Sequence, residues 1–268
     1  MNKLIYTLII FTLSLQSCDD IFDYSPYQID FEETNINVKN ISKIVSSTNI
    51  EYLDTLKIAF TGDTHRFYDE WVSFVDTVNK IDDIDFAIHV GDFTDYGLPI
   101  QYEWGYDIMS KLNVPFLVVV GNHDLVANGP ESYNSMFGKF DFSFIYAKTK
   151  FIFLNTNSWE FAFDGNVPNL DWYEKQLVPD STFVNAIIIA HVSPVDADFD
   201  PNLRDQFREI THKYNNIIAF IHGHTHHFEE YIPEDYNINF INVYGAQYKK
   251  ATIVKFTLNE YKIENISF

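Results

Sequence analysis

Residues 56–65 of the 268-residue chain read Leu-Lys-Ile-Ala-Phe-Thr-Gly-Asp-Thr-His. A short apolar run ends there in a cluster of Asp and His, and similar polar clusters follow four more apolar runs. The five clusters are Gly62-Asp63-Thr64-His65, Gly91-Asp92-Phe93-Thr94-Asp95, Gly121-Asn122-His123-Asp124, Ala190-His191 and Gly223-His224-Thr225-His226. The runs before them, 56–61, 86–90, 116–120, 186–190 and 217–221, are β-branched and unalternating. This pattern is typical of strands buried on both faces of a sheet.

The positions of the clusters predict one shared site. In an open α/β sheet the carboxyl ends of the parallel strands lie at one edge, where loops bring distant residues together. Asp and Asn are ordinary turn formers, so a single cluster would mean little. Five clusters that are rich in His and lack Lys indicate a metal centre. Carboxylate, imidazole and amide donors without a thiolate suit Mn²⁺, Fe or Zn²⁺.

The order Asp-x-His, Gly-Asp-x-x-Asp, Gly-Asn-His-Asp, His, Gly-His-x-His resembles the calcineurin-like metallophosphoesterase superfamily over about residues 56–226. The resemblance implies an α/β fold, a four-layer αββα sandwich with a dinuclear metal site at the carboxyl ends of the strands. It also implies a metal-dependent hydrolase of phosphate esters. Two metal ions roughly 3.5–4 Å apart can hold a bridging hydroxide as the nucleophile.

The resemblance assigns a role to each matching residue. Asp63, His65 and His226 resemble the ligands of one metal ion, Asn122, His191 and His224 resemble those of the other, and Asp92 resembles the bridging carboxylate. His123 resembles a general acid that protonates the leaving group, a contribution of about 10²–10⁴ in rate. Asp95 resembles a group that holds the His123 imidazole in position. The role of Asp124 stays open between a site residue and a turn former.

Other polar residues near the clusters have less specific interpretations. His89, His222 and His227 flank the motifs and are interpreted as structural or exposed, and His212 lies on a predicted surface helix. Asn155-Thr156-Asn157 follows the strand 151–154 and is expected to face substrate. Residues 159–168 are expected to form a loop over the pocket, with an ordinary surface loop as the alternative.

Composition and net charge limit the classes of substrate that the protein is expected to bind. The formal net charge is −20, and 46% of the residues are hydrophobic, enough for one sizeable core. An acidic surface repels long polyanions, so a small phosphate ester is favoured over nucleic acid. Tyr96-Gly97 stands where protein Ser/Thr phosphatases of the superfamily carry an Arg, which counts against that activity. A small phosphodiester is the favoured substrate. The alternatives are a phosphomonoesterase or nucleotidase, a nuclease, and a non-catalytic metal-binding envelope lipoprotein.

The first eighteen residues predict export. A short basic start and an apolar run end at Leu15-Gln16-Ser17-Cys18, which resembles a bacterial lipobox and contains the only Cys of the chain. Residues 1–18 are therefore predicted to be a lipoprotein signal peptide, with Cys18 lipidated and the protein anchored in the bacterial cell envelope, facing the periplasm or the exterior. Residues 19–50 are predicted to be a tether and N-terminal segment, and residues 51–268 the metallophosphoesterase domain.

Periodicity places the other elements. Apolar residues at three- to four-residue spacing predict helices at 67–78, 100–112, 170–177 and 203–214. Strands are predicted at 238–243, 252–257 and 262–268. The last two are expected to form a hairpin, and all three are expected to complete the second sheet.

Overall fold

Two mixed β-sheets stack face to face in the computed structural model, which describes residues 25–46, 55–258 and 260–268. The helices are α1 (Ile36–Ser46), α2 (Tyr68–Val78), α3 (Pro99–Met109), α4 (Gly129–Met136), α5 (Leu170–Leu177) and α6 (Arg204–Lys213). The strands are β1 (Leu56–Thr61), β2 (Phe86–His89), β3 (Phe116–Val118), β4 (Phe142–Tyr146), β5 (Thr149–Phe153), β6 (Asn185–Ile189), β7 (Ile217–His222), β8 (Glu229–Tyr231), β9 (Phe240–Asn242), β10 (Lys250–Phe256) and β11 (Tyr261–Ser267).

The first sheet has the strand order β11-β10-β1-β2-β3. Its strands β1, β2 and β3 are parallel, and β10 and β11 add an antiparallel pair beside β1. The second sheet has the order β4-β5-β6-β7-β9-β8, with four central parallel strands and an antiparallel strand at each edge. Parallel strands need covered faces, and both sheets have them.

Three apolar cores define four layers. The inner core fills the space between the sheets, where Phe60 and Ile88 of the first sheet belong to the same cluster as Phe153 and Ile189 of the second. A second core lies between the first sheet and α2 and α3, and includes the fully buried Trp71. A third lies between the second sheet and α5 and α6. The architecture is the four-layer αββα sandwich expected from the sequence.

Helix α1 covers the edge of the first sheet. The Asn37 side-chain amide donates to the Val118 carbonyl oxygen at 2.9 Å, and the Val118 N–H donates to Asn37 Oδ1 at 2.9 Å. Asn40 Nδ2 donates to the Phe116 carbonyl oxygen at 2.8 Å. These two side chains bond to β3 in the way that a further strand would, so this edge of the sheet has its polar groups paired.

One expectation about the sheets was wrong. Residues 252–257 and 262–268 do form the predicted hairpin, as β10 and β11, but the hairpin belongs to the first sheet because β10 pairs antiparallel with β1. Only the strand predicted at 238–243 joins the second sheet, as β9. The apolar pattern of the C-terminal strands shows which of their faces is buried. It does not show which of the two sheets they join.

No helix in the described ranges is long and apolar enough to cross a membrane. The predicted signal peptide, the lipobox and Cys18 lie outside the described residues.

Candidate metal centre

Each polar cluster begins where a strand ends. Asp63 and His65 follow β1, Asp92 follows β2, Asn122 follows β3, His191 follows β6, and His224 and His226 follow β7. A parallel bridge between Gly62 and Gly245 joins the two sheets at this edge. The seven predicted ligands therefore meet at the carboxyl ends of strands from both sheets.

Four of these residues form the first donor group. Asp63, His65, Asp92 and His226 each offer one atom, and these atoms all lie within 4.8 Å of one another. His226 Nε2 is 3.5 Å from Asp63 Oδ1, and His65 Nε2 is 3.5 Å from Asp92 Oδ2. The group combines carboxylate oxygens with imidazole nitrogens at separations that one cation could span.

The second donor group shares Asp92 with the first. Asn122 Oδ1 lies 3.0 Å from His191 Nε2 and 3.2 Å from His224 Nδ1. Asp92 Oδ2 is 3.2 Å from His191 Nε2. The carboxylate of Asp92 thus lies between the two groups, the position that a bridging ligand requires.

The backbone at the ligands is strained. Five of them have φ in the left-handed region, between 43° and 73°, which residues other than Gly rarely adopt: Asp63, His65, Asp92, His224 and His226. Such conformations cost about 1–3 kcal/mol each and concentrate at functional sites. The fold therefore holds these side chains in place at an energetic cost.

Two glycines let the strand ends approach closely. A Cβ at Gly121 would lie 2.3 Å from Asp92 Oδ1, and a Cβ at Gly223 would lie 2.8 Å from Asp63 Oδ2. Both carboxylates occupy space that a larger residue would fill. These Gly positions of the motifs are thus explained by the approach of one loop to the next.

Hydrogen bonds set the orientation of three imidazoles. His191 Nδ1 donates to the Val90 carbonyl oxygen at 2.8 Å, which leaves Nε2 as the free ligand atom. Asp198 Oδ2 lies 3.2 Å from His224 Nε2, so Nδ1 is the nitrogen that faces Asn122. The side-chain amide of Gln247 is 2.7 Å from Nδ1 of the third imidazole, at position 226. Outer contacts of this kind orient ligands and tune metal affinity.

Burial and neighbouring charge shift the acid–base behaviour of the ligands. Burial raises the pKa of Asp63 to about 7 and lowers the pKa of His65 to about 4. Burial also opposes a charge on Asp92, but the His191 and His65 imidazoles hold the pKa of Asp92 below its ordinary value. The Asp92 carboxylate, against the effect of burial, raises the pKa of His191. A cation that binds here displaces protons, so its affinity depends on pH.

The donor set fits divalent metal ions. Asp63 Oδ2 is buried and has no hydrogen-bond partner, a costly arrangement unless a cation compensates it. Two carboxylates, one amide oxygen and four imidazoles provide hard and borderline donors for Mn²⁺, Fe or Zn²⁺.

His123 lies at the border of the first donor group. Its ring centroid is 4.5 Å from that of His65, and its side chain is 40% exposed. Its Nδ1 donates to the Asp95 backbone carbonyl at 2.9 Å, while the Asp95 carboxylate is farther away, at 3.8 Å. Asp95 therefore contacts the imidazole mainly through its main chain, and His123 Nε2 is left for a ligand.

Asp124 has a structural environment. Its buried carboxylate accepts hydrogen bonds from the backbone N–H groups of Phe93, Thr94 and Gly121, and from the Thr94 hydroxyl. Burial raises its pKa to about 6. Asp124 ties the loop after β2 to the loop after β3.

The flanking histidines are placed as the sequence suggested. His89 and His222 are buried, and burial lowers the pKa of each to about 3. His89 Nε2 bonds to Thr64 Oγ1 at 2.9 Å, and His222 Nε2 lies 3.3 Å from the Tyr231 hydroxyl. They support the loops from behind the ligands, and His227 is exposed.

The expectation that residues 155–157 face substrate was wrong. All three are buried, and Asn157 Nδ2 donates to the Val120 carbonyl oxygen at 3.0 Å. Thr156 Oγ1 accepts from the Val192 N–H at 3.0 Å. These side chains satisfy backbone groups of the neighbouring strand ends, which explains why polar residues occur there.

Sequence reasoning missed Asp198 and Gln247 as neighbours of the ligands. Asp198 belongs to an Asp-x-Asp pair in the loop after His191, and Gln247 lies in the one-turn helix Ala246–Tyr248. The Asp-x-Asp pair is a weak acidic signal that could have been noted. Nothing in the local sequence marks Gln247.

The comparison with known families agrees with this geometry. The family model described as calcineurin-like phosphoesterase matches residues 56–228, which is more than half of the chain. The protein belongs to this family of phosphoesterases. The family acts on small phosphate-ester substrates and uses divalent metal ions.

Individual relatives are more distant. A protein named "Probable glycerophosphodiester phosphodiesterase GpdQ" from Arcobacter nitrofigilis is 28% identical over 157 residues, or 53% of this chain and 56% of its own length. The chain thus spans little more than half the length of that relative.

Solved structures show the same fold. A dimetal phosphatase from Danio rerio matches with a TM-score of 0.59 at 12% identity, over 78% of this chain and 98% of that one. GAP50, the anchor in the inner membrane complex of Plasmodium, matches with a TM-score of 0.60 at 13% identity, over 80% and 84% of the two chains. At such identities the likeness concerns the fold alone.

Proposed function

We propose that the protein hydrolyses a small phosphodiester at a centre of two divalent metal ions, with His123 as the general acid. One ion would be held by Asp63, His65 and His226, the other by Asn122, His191 and His224, with Asp92 shared. Mn, Fe and Zn all fit these donors. When bound, the ions would activate water and neutralise charge on the phosphoryl oxygens.

The observation that carries this proposal is the placement of His123. It is not needed to complete either donor group, yet it lies beside the first one, half-exposed, with Nδ1 held by the Asp95 carbonyl oxygen. A free Nε2 at the border of the site can give its proton to a departing alkoxide.

The preference for a diester rests on charge. Within the described residues, the carboxylates of the centre form ion pairs with His alone and none with Lys or Arg. The protein's net charge of −20 would penalise the extra charge of a phosphomonoester dianion. The name of the Arcobacter relative, a glycerophosphodiester phosphodiesterase, agrees with this preference.

His123→Ala tests the mechanism. We expect the variant to keep its metal content and to lose about 10²–10³ in kcat/KM for alkyl phosphodiesters, whose leaving groups need a proton. Activated nitrophenyl diesters should lose less than about tenfold, because a nitrophenolate departs without protonation. The measurement is kcat/KM across a leaving-group series, with metal analysis of each sample.

Two results would contradict the proposal. Equal losses across the series would remove the general-acid role of His123. A wild-type preference for monoesters over matched diesters would overturn the choice of substrate class and would favour a phosphomonoesterase or nucleotidase.

We further propose that the protein is a lipid-anchored lipoprotein of the bacterial cell envelope, attached through Cys18. The support is the lipobox-like sequence at the end of the N-terminal apolar run. In a bacterial host, Cys18→Ala should abolish acylation and move the protein out of the membrane fraction, as measured by mass spectrometry and fractionation. Wild-type protein that carries no acyl chain would contradict this prediction.

A further inference from the structure

Five exposed aromatic residues belong to segments that contact or adjoin the metal centre. Among the exposed large hydrophobic residues in the described ranges, the aromatic ones are Tyr27, Tyr96, Trp104, Trp159 and Tyr248, with exposed fractions between 47% and 61%. We call these five residues the aromatic rim. Each of them is linked to a residue of the candidate metal centre by hydrogen bonds, by a ring contact or by a short separation along the chain.

Two members of the rim are connected to the loops around His123. Tyr96 directly follows Asp95, whose carbonyl oxygen holds the His123 imidazole. Asn128, in the loop after His123, donates from Nδ2 to the Tyr27 carbonyl oxygen at 2.8 Å. The N-terminal segment therefore lies against the loop that carries the proposed general acid.

The other flank of the centre also has exposed aromatic residues. The Trp159 N–H donates to the Asp198 carbonyl oxygen at 3.1 Å, and the Asp198 carboxylate contacts His224. Tyr248 directly follows the glutamine whose amide contacts His226. The rim therefore flanks both donor groups.

The fifth member extends the rim toward the start of α2. The ring of Trp104 packs on Tyr68 with centroids 5.7 Å apart, and Tyr68 is three residues after His65. Trp and Tyr have an apolar body and a polar end, and they are enriched where proteins meet the membrane–water interface. Exposed aliphatic residues occur at both edges of the sheets: Val126 and Val195 lie in the loops after His123 and His191, and Val184 and Leu258 lie at the opposite edge.

The N-terminal segment fixes which surface faces a lipid anchor. Six residues separate the proposed lipidated Cys18 from Ser25, the first described residue, so seven Cα–Cα steps join the two. A chain of seven residues spans at most about 25 Å. Ser25 is two residues before Tyr27, so an anchor at Cys18 would keep this side of the rim close to the bilayer.

We propose that the aromatic rim rests on a zwitterionic phospholipid surface, and that the substrate is a phosphodiester headgroup presented there. This inference rests on the proposed function and names its substrate class. The net charge of −20 selects a zwitterionic surface, because anionic lipids would repel the protein. The aromatic rim would contact the membrane surface, and the metal centre would receive the phosphate of a lipid headgroup at that surface.

The proposed step is an ordinary hydrolysis. The oxygen of one water molecule forms a bond to phosphorus, and one ester P–O bond breaks. The departing alkoxide oxygen receives a proton from His123, and water resupplies that proton. The products are a phosphomonoester and an alcohol, and no oxidant or other co-reactant is needed.

The first test measures contact with lipid. The full chain is mixed with phosphatidylcholine–phosphatidylethanolamine vesicles whose acyl chains are brominated, and quenching of Trp fluorescence is recorded. We expect wild-type quenching to fall by about half in Trp159→Phe, since Trp159 and Trp104 are the exposed Trp residues of the described chain. The double variant Val184→Ser/Leu258→Ser, at the opposite edge, should be quenched like wild type.

The second test measures activity. Hydrolysis of the vesicle phospholipid is divided by hydrolysis of soluble bis(p-nitrophenyl) phosphate, and this ratio should fall at least about tenfold in Tyr96→Ser/Trp159→Ser. The Val184→Ser/Leu258→Ser ratio should equal that of wild type. Quenching that is absent or unaffected by Trp159→Phe, or an unchanged ratio in the rim variant, would overturn the inference. Failure of the wild type to hydrolyse the soluble diester would refute the proposed function instead, whatever the quenching shows.

Discussion

Asp92 is the residue that the two donor groups have in common. Its Oδ2 atom lies 3.5 Å from His65 Nε2 and 3.2 Å from His191 Nε2, and its Oδ1 accepts from the His123 backbone N–H at 2.9 Å. It therefore touches one ligand of each group and also fixes the start of the segment that carries the proposed general acid.

Asp92→Ala should be the most damaging single change among the ligands. Two divalent cations left without the carboxylate between them would repel each other strongly, by about 17 kcal/mol at 4 Å and an effective dielectric constant of 20. We expect the metal content of the purified variant to fall below one ion per chain and phosphodiesterase activity to be lost. Elemental analysis after growth with Mn, Fe and Zn supplied measures this.

His226→Ala is the matched comparison for that experiment. It removes a ligand of the first group alone, so the second group should keep close to one ion per chain. Equal metal content in wild type and Asp92→Ala would show that Asp92 does not bridge two ions. Loss of both ions in His226→Ala would show that the two groups do not bind independently.

The grouping of the candidate ligands at one edge could be predicted from sequence, but their surroundings could not. Asp63 and His226 were selected as candidates because motif spacing and strand ends are local features of the chain. Asp198 and Gln247 reach their imidazoles across loops, and these contacts depend on how the loops fold. The left-handed backbone of the five candidate ligands also could not be predicted, because Asp and His adopt it more often than most residues but still in a minority of cases.

At the scale of elements, α1 is the feature that composition did not reveal. Its sequence is rich in Ile, Val, Asn and Ser, which are not strong helix formers, and the segment was expected to be only a tether and a covering stretch. Asn37 and Asn40 are buried because their amides bond to the edge strand β3. From sequence alone, an Asn that pairs with an edge strand cannot be distinguished from an Asn at the surface.

Asn37→Ala should destabilise the fold. The Val118 N–H would lose its partner at a buried position, which costs about 1–3 kcal/mol. The Val118 carbonyl oxygen would keep the Tyr133 hydroxyl at 2.6 Å, so the loss concerns one unpaired group and not two. Chemical denaturation of the metal-loaded protein gives the free energy of unfolding.

Val38→Ala is the control for this prediction. Val38 is the next residue of the same helix and is 60% exposed, so its truncation should change the free energy of unfolding by less than about 0.5 kcal/mol. If Asn37→Ala costs no more than Val38→Ala, the pairing with β3 contributes nothing measurable to stability.

The β10–β11 hairpin shows a second limit of sequence reasoning. Strand β1 was predicted with its observed bounds, Leu56–Thr61, because a buried parallel strand has a distinctive apolar run. The hairpin was also predicted, but its pairing with β1 is a contact across almost 200 residues. The apolar pattern of a strand specifies which of its side chains face the core. It does not specify which strand pairs with it when the two are almost 200 residues apart.

At the scale of the whole molecule, the metal centre joins the two sheets. Asp63, His65, Asp92 and Asn122 follow strands of the first sheet, while His191, His224 and His226 follow strands of the second. Metal ions bound here would connect the two halves of the sandwich at one edge. Stability of the entire domain should therefore depend on metal occupancy.

Chelation should lower the melting temperature of the purified protein. A ligand that is present at about 1,000 times its dissociation constant adds about 4 kcal/mol, which for a protein of this size corresponds to roughly 10 °C. Added Mn²⁺ should restore the original melting temperature in a calorimetric scan. In Asp92→Ala chelator should have little effect, and a wild-type melting temperature indifferent to chelator would show that metal does not connect the sheets.

The distribution of the ligands along the chain has a consequence for the order of events during biosynthesis. The donors run from Asp63 to His226, and β10, which completes the first sheet beside β1, comes later still. A nascent chain that lacks its last quarter has neither His224 nor His226, so it can complete neither donor group. The metal ions that enter are therefore those of the compartment in which the finished chain folds, and export before folding would leave the choice of metal to the cell envelope.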